Sequence, residues 1–367
     1  MISFELPRWY DLHTHLRQDG LLEPVIKAHL DMGCVGILAM PNTKPPMAKV
    51  LESDPLPYWS LENYQSMIRD NGGDVFDDII TPLYITKDTS VAMIEEGAKS
   101  GLLKAAKYYP PHGTTGADFG MPMNDLLKSD IFKAMSDNNV TLCIHGEEHH
   151  LSACDYFDRD SNAEELFYKE TMPRVLDENP QLRIVGEHLT TKIAVDFITE
   201  APDHVGGTIT PQHLLYTIGD LIQGLKYHLF CLPVVKFDAD RRALCDAVTN
   251  PKNTKFFAGT DSAPHTIKAT ACGCAAGCFT AGIAPQLYVD AFEQAGLDMN
   301  DKVNQTIFEQ FLCRNGAHFY GLDVPKSRMR LTKTPQKIEE IQSSEGDITP
   351  LPLGLGQSEI NWSLELI

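Results

Sequence analysis

Eight short apolar or β-branched runs, each ending in polar, ligand-type residues, predict an α/β fold for this 367-residue chain: a closed (β/α)8 barrel of the TIM type. The runs are 9–15, 35–42, 79–86, 102–109, 140–147, 182–188, 207–213 and 255–261. Amphipathic helical segments separate most of them, at 22–32, 90–99, 125–138, 163–179 and 192–200. Strands alternating with helices imply parallel pairing, and eight repeats close a barrel whose chemistry sits at the C-terminal strand ends. The size fits: 367 residues at 43% hydrophobic content supply a large core.

The first run holds His13 and His15. In a strand, side chains at i and i+2 share a face, so both imidazoles can reach one ion. Arg17 falls two residues further along that face, where a guanidinium can hold a carboxylate or phosphate bidentately. Alone, the pattern is equally met by a strand with two incidental histidines. The second run ends in Asn42. The fourth places Lys107 in the apolar setting AAKYY. A lysine there is costly unless paired, and a salt-bridged or snorkelling side chain is the plain alternative. The chemical reading is a lysine of depressed pKa that reacts with carbon dioxide to give an anionic carbamate able to bridge two cations. The fifth run ends in His145-Gly146-Glu147 and the sixth in Glu187-His188. Histidines at adjacent strand ends suit zinc, and the two glutamates read as carboxylates that support them. His213, ending the seventh run, reads as a loop-orienting residue. The eighth ends in GTDSAPH, where Asp261 can ligate a metal and accept a proton from water, or cap a helix. The donors divide into His13, His15 and Asp261 for one ion and His145 and His188 for a second, with Lys107 between them. That is the set a two-metal hydrolase needs.

The connection from 205 to 255 is long and carries its own apolar stretch, 227–235, expected to lie over the site. Residues 285–320 read as helical. The Pro- and Leu-spotted stretch 321–367 has no assignment. The organisation expected is one hydrolase domain over 1–367, with the barrel at about 5–320 and a C-terminal extension at about 321–367. Cys272, Cys274 and Cys278 at C-x-C-x3-C spacing lack a fourth partner and make a poor zinc site.

A net charge of −19 and a pI near 5.0 weigh against nucleic-acid or anionic-membrane partners. No apolar stretch is long enough to span a bilayer, and the N-terminus lacks the pattern of a signal peptide. Nine scattered cysteines point to a reducing cytoplasm.

The motifs HTHLR (13–17), MPN (40–42), AAKYYP (105–110), IHGE (144–147), GEHLTTK (186–192), ITPQHL (209–214), CLP (231–233), GTDSAPH (259–265) and CGCAAGCF (272–279) resemble the amidohydrolase superfamily. They resemble most the dihydroorotase family of the short bacterial and fungal type, from Asp11 to about Tyr320. The resemblance implies reversible cyclisation of N-carbamoyl-L-aspartate to L-dihydroorotate, the third step of de novo pyrimidine synthesis. It implies two Zn2+ per subunit, bridged by Lys107 as N6-carboxylysine and by a hydroxide, and held by His13, His15, His145, His188 and Asp261. Asp261 would be the catalytic proton carrier. Arg17, Asn42 and His265 would contact the substrate, and the backbones of Leu232 and Ala275 would hold its ring. Ala276 is the alternative to Ala275, because CGCAAGCF carries one alanine more than the family pattern. Thr114 and Thr115, between Gly113 and Gly116, would tip a loop that closes over the substrate, where the plain alternative is a surface turn. The family also suggests a homodimer.

Two rivals are weighed. Hydantoinases and allantoinases have a longer segment before the HxH pair, whereas 12 residues precede His13 here. A catalytically silent homologue typically lacks ligands that this chain retains.

Overall fold

The computed structural model describes residues 2–111, 117–159, 161–271 and 273–367. All eight runs overlap barrel strands: β1 (Trp9–Thr14), β2 (Cys34–Ala39), β3 in two pieces (Asp78–Ile80 and Leu83–Tyr84), β4 (Ala105–Tyr108), β5 (Thr141–Ile144), β6 (Ile184–Gly186), β7 (Val205–Ile209) and β8 (Phe256–Ala258). Neighbours pair in parallel from β1 through to β8. Past β8, Asp261 N–H donates to His13 O (2.8 Å) and His15 N–H to Ser262 O (3.0 Å), which closes the ring. The break in β3 falls at Thr81-Pro82, where proline has no N–H to give the ladder.

Every residue of β1 and β2 is buried, as both strand faces are in a helix-wrapped barrel. Inside, Tyr10, Leu12, Leu38, Cys143, Val185 and Phe257 fill the barrel, and Phe319 joins them from a C-terminal helix. Outside, strands and helices share a second cluster that includes Trp9, Ile37, Leu142 and Ile184. Side chains cap the outer helices: Ser60 accepts from Asn63 N–H, Ser90 from Met93 N–H and Thr191 from Ala194 N–H. The single helix expected over 125–138 is two, Met123–Leu127 and Ile131–Asp137. Ser129 divides them, its hydroxyl donating to Leu126 O (2.7 Å) and accepting from Ile131 N–H (3.3 Å). Among the described residues no helix is long and apolar enough to cross a membrane.

The tail has a definite place. Arg328–Thr332 pairs antiparallel with Ser3–Pro7 on one side and Ser363–Leu366 on the other. This sheet lies where the chain enters β1, and Phe4 meets Trp362 edge-on at 5.7 Å. The tail then reaches the other end of the barrel. Glu345 accepts a hydrogen bond from Gly20 N–H (2.9 Å) in the loop after β1. Ser344 is so close to Gly20 that a Cβ there would lie 2.0 Å from its hydroxyl, and Gly346 packs on Thr266.

Candidate metal centre and substrate cavity

The strand ends of β1 and β8 build the first part of the site. The β1–β2 register shifts between Asp11 and Thr14. Leu12 therefore stays in the barrel interior and Thr14 meets His29 of the outer helix Leu22–Asp31 (2.8 Å), while His13 and His15 both line the cavity above. Fully buried Asp11 ties the two strands: its carboxylate accepts from Thr260 N–H (2.9 Å) and the Thr260 hydroxyl (2.6 Å). Gly259 permits this closeness, since a Cβ there would lie 2.9 Å from His13 Cβ. Asp261 is thus carried to His15 Nε2 (3.0 Å) and His13 Nε2 (3.3 Å). His13, His15 and Asp261, all buried, offer ligand atoms within 4.8 Å of one another, a group able to hold a metal ion.

Each of these histidines has its other nitrogen committed. His13 Nδ1 lies 2.6 Å from Glu187 Oε2 and His15 Nδ1 lies 2.6 Å from Asn42 Oδ1. Both acceptors fix the proton on Nδ1 and leave Nε2 facing inward, the support that metal-binding imidazoles use. Burial alone would raise the Asp261 carboxyl, but the surrounding His13 and His15 imidazoles outweigh it and hold it well below its ordinary value. Burial pushes His15 down to about 4, so it is neutral, as a ligand must be.

The ends of β4, β5 and β6 supply the second part. His145 Nε2 is held by Glu147 Oε2 (2.8 Å), which leaves its Nδ1 facing His188 Nε2 at 3.2 Å. Two imidazole nitrogens at that distance suit a shared cation. Burial holds His188 well below its ordinary pKa, and neighbouring His145 adds to the shift. Lys107 is fully buried, and its ammonium has no hydrogen-bond partner among the described residues; it lies over the Tyr109 ring, 5.0 Å from the centroid. Burial lowers its pKa, against the pull of Glu187. An unpartnered lysine nitrogen beside inward-facing imidazoles fits a centre in which that nitrogen is chemically modified and metal ions are bound.

Arg17 corrects the idea of a continuous strand face. β1 ends at Thr14, and Arg17 has a left-handed backbone, φ 60°. It reaches the cavity from a turn. His188 (φ 41°) and Asp261 (φ 49°) share this costly conformation, about 1–3 kcal/mol each, which persists where the surroundings over-determine it. Here Tyr64 OH donates to Arg17 O, and the Thr208 hydroxyl accepts from His188 N–H (2.7 Å).

The cavity is lined by His13, His15, His145, His188 and Asp261 together with Arg17, Asn42, Tyr109, Leu232, Ala263, Ala276 and Gly277, whereas Lys107 is buried behind this lining. His265 stands at its edge, with Nε2 2.8 Å from Ala276 O and 3.2 Å from Arg17 Nη2. A carbonyl only accepts, so the Nε2 proton goes to Ala276; the Arg17 Nε donates to Pro264 O (3.4 Å), and its Nη donors remain for another acceptor. Ala276, not Ala275, lines the cavity; Ala275 is turned to Lys268, donating to Lys268 O (2.8 Å). Thr114 and Thr115 lie outside the described residues. Cys272 does too, and among the described residues no cysteine joins a metal-competent group. Sequence reasoning missed Tyr109, whose motif AAKYYP carried only the lysine signal, and Lys268, which sits in an unremarkable polar stretch. A larger cleft opens at the opposite end of the barrel, beside Asp78, Lys104 and Arg183, far from these ligand-type residues.

No family model matches the chain. It is 39% identical over 370 residues to a dihydroorotase of Picosynechococcus sp., covering 99% of this chain and 98% of that one. It is 37% identical over 369 residues to a dihydroorotase of Halorhodospira halophila, covering 99% of both. Among solved structures, the Saccharomyces cerevisiae dihydroorotase in complex with 5-fluoroorotic acid superimposes with a TM-score of 0.85 at 26% identity, covering 100% of this chain and 99% of that one. Hydantoinases share the barrel at identities low enough to speak for the fold alone. Nearly end-to-end similarity at this level, on a barrel with the same architecture, places the chain in the dihydroorotase family of the amidohydrolase superfamily.

Proposed function

We propose that the chain interconverts N-carbamoyl-L-aspartate and L-dihydroorotate as a zinc-dependent cyclic amidohydrolase of de novo pyrimidine synthesis. The observation that carries this reading is the gathering of His13, His15 and Asp261 at the strand ends of a chain similar over nearly its whole length to dihydroorotases. In this reading His13, His15 and Asp261 would hold one Zn2+, His145 and His188 would hold a second, and Lys107, as a carbamate, would be a ligand of the pair. The neutral Lys107 amine adds to carbon dioxide, forming an N–C bond and releasing one proton. Bound zinc lowers the pKa of water towards ~7 and polarises a carbonyl.

In the hydrolytic direction Asp261 takes a proton from the attacking water and delivers it to the departing ring nitrogen. The Arg17 guanidinium, with Asn42 and His265, holds the substrate carboxylate. The peptides of Leu232 and Ala276, or Ala275, hold the ring. A cytoplasmic homodimer completes the reading.

The test is dihydroorotate hydrolysis and carbamoyl-aspartate cyclisation by purified protein, alongside a metal count and intact-mass measurement. Turnover in both directions, two zinc ions per chain and one carbon dioxide of added mass on Lys107 are expected. Metal-loaded protein inert in both directions would overturn the assignment and favour a silent homologue.

A further inference from the structure

Lys268 is 8% exposed, and among the described residues no carboxylate lies within ion-pairing distance of it. Its ammonium points instead at three backbone carbonyls: Phe230 O at 3.0 Å, Ala275 O at 2.5 Å and Gly277 O at 2.5 Å. An ammonium has three N–H donors, so the set is saturated. The acceptors come from two different loops. Phe230 belongs to the loop after β7, two residues before Leu232; Ala275 and Gly277 flank Ala276 in the loop after β8. Leu232, Ala276 and Gly277 all line the cavity. The main chain joins the same loops independently, as Gly277 N–H also donates to Phe230 O (2.9 Å) and Ala275 N–H to Lys268 O (2.8 Å). Lys268 therefore holds the peptide before Ala276 through Ala275 O and the peptide after Gly277 through Gly277 O, while the peptide between them is held by Gly277 N–H on Phe230 O and by His265 Nε2 on Ala276 O (2.8 Å).

We infer that Lys268 is a positioning residue for substrate recognition: by drawing three carbonyls onto its ammonium it turns the peptides of Leu232 and Ala276 towards the ring of a cyclic amide. The inference rests on the reading of those two peptides as ring contacts. It assigns Lys268 no part in the proton transfers and no metal. A carbonyl turned outward to the lysine leaves the opposite edge of its peptide facing the cavity, so one side chain sets the donor and acceptor pattern that a planar ring of amides meets. The cation is held by dipoles and not by an anion, so its removal strands no charge; Ala275 O and Gly277 O lose the ammonium, while Phe230 O keeps its bond from Gly277 N–H.

The test compares wild type, Lys268→Met and Lys268→Arg in the metal-loaded holoenzyme. Methionine keeps the stem and removes all three donors; arginine keeps the charge in a planar fork of different shape. For Lys268→Met the expected result is a KM for dihydroorotate raised about tenfold, the equivalent of one lost hydrogen bond to the ring. It should come with kcat within about threefold and an unchanged metal count. Amide exchange at Ala275 and Gly277 should quicken. Lys268→Arg should fall between the two. An unchanged KM, or a KM, kcat and metal count that worsen in step as in a general loosening, would overturn the inference. Wild-type protein inert towards dihydroorotate would instead sink the substrate reading, and unchanged amide exchange in Lys268→Met would then overturn the tie itself.

Discussion

The two parts of the centre differ in how their side chains are committed. His13, His15 and Asp261 sit on strands joined by main-chain bonds and by the Asp11 carboxylate, and their side chains already face one another. Around β4 to β6, Lys107 Nζ and His188 Nδ1 are buried with no hydrogen-bond partner among the described residues. Buried polar atoms without partners are expensive, about 1–3 kcal/mol for a neutral group and more for a charge. The β1–β8 part is thus assembled by the fold itself, whereas the β4–β6 part keeps two buried polar atoms unpartnered among the described residues.

Asp261→Asn tests the pre-assembled part most severely. Asparagine keeps one oxygen towards His13 and His15 but cannot accept a proton, so kcat should fall by ~10²–10⁴-fold while metal content drops only partly. Near-normal turnover in a fully loaded variant would move the proton-carrying role elsewhere. Next comes Lys107→Ala, which should cost roughly 10²-fold in kcat and about half the bound metal, because His13, His15 and Asp261 still hold their ion. Loss of all metal would erase the distinction between the parts, and full retention would make Lys107 structural.

Two smaller effects probe what each part rests on. Asp11→Asn loosens the β1–β8 tie, since an amide cannot accept from both Thr260 groups. A loss of about 1–3 kcal/mol in unfolding free energy is expected, with the His13–His15–Asp261 ion bound more weakly; unchanged stability and metal affinity would show that the main-chain bonds suffice. Glu164 is the counterpart for the β6 loop, where its carboxylate accepts from Thr190 N–H (3.0 Å) and the Thr190 hydroxyl (2.8 Å). Burial raises it from 4.5 to about 7. A raised folded-state value means stability that is complete below the unfolded value and is lost as pH climbs through about 7. Glu164→Gln cannot ionise, so relative to this variant the wild type should lose about 1–3 kcal/mol between pH 5 and 8. Parallel melting curves across that range would mean that Glu164 does not change its charge there.

The eight strands were legible because each is a continuous apolar run with its polar residues at the C-terminal end, a local signal. The pairing of His13 with Asp261 was legible only through barrel closure, a consequence of counting runs. Three features left no local trace. The positive φ of Arg17, whose carbonyl accepts from Tyr64 OH, follows from contacts distant in sequence, so the residue looked like a strand continuation. The pairing of Arg328–Thr332 with Ser3–Pro7 joins chain segments more than 300 residues apart. Lys268 resembles a surface lysine until its two loops fold over it. Glu187 sits beside His188 in sequence but serves His13, because the sheet and not the chain decides its neighbour.

The Glu345 contact also has a meaning in time. Synthesis runs from the N-terminus at roughly 5–20 residues per second. When Asp261 leaves the ribosome every candidate ligand has been made, yet the carboxylate that fastens the loop after β1, next to Arg17, is still 84 residues away. Strand Ser3–Pro7 likewise waits for its partner Arg328–Thr332. For several seconds a nascent chain holds all six candidate ligand side chains without the Glu345 contact that fastens the loop beside Arg17. The order of translation therefore makes ligand assembly an early event and substrate competence a late one, and a chain stalled between the two would bind metal before it could bind substrate.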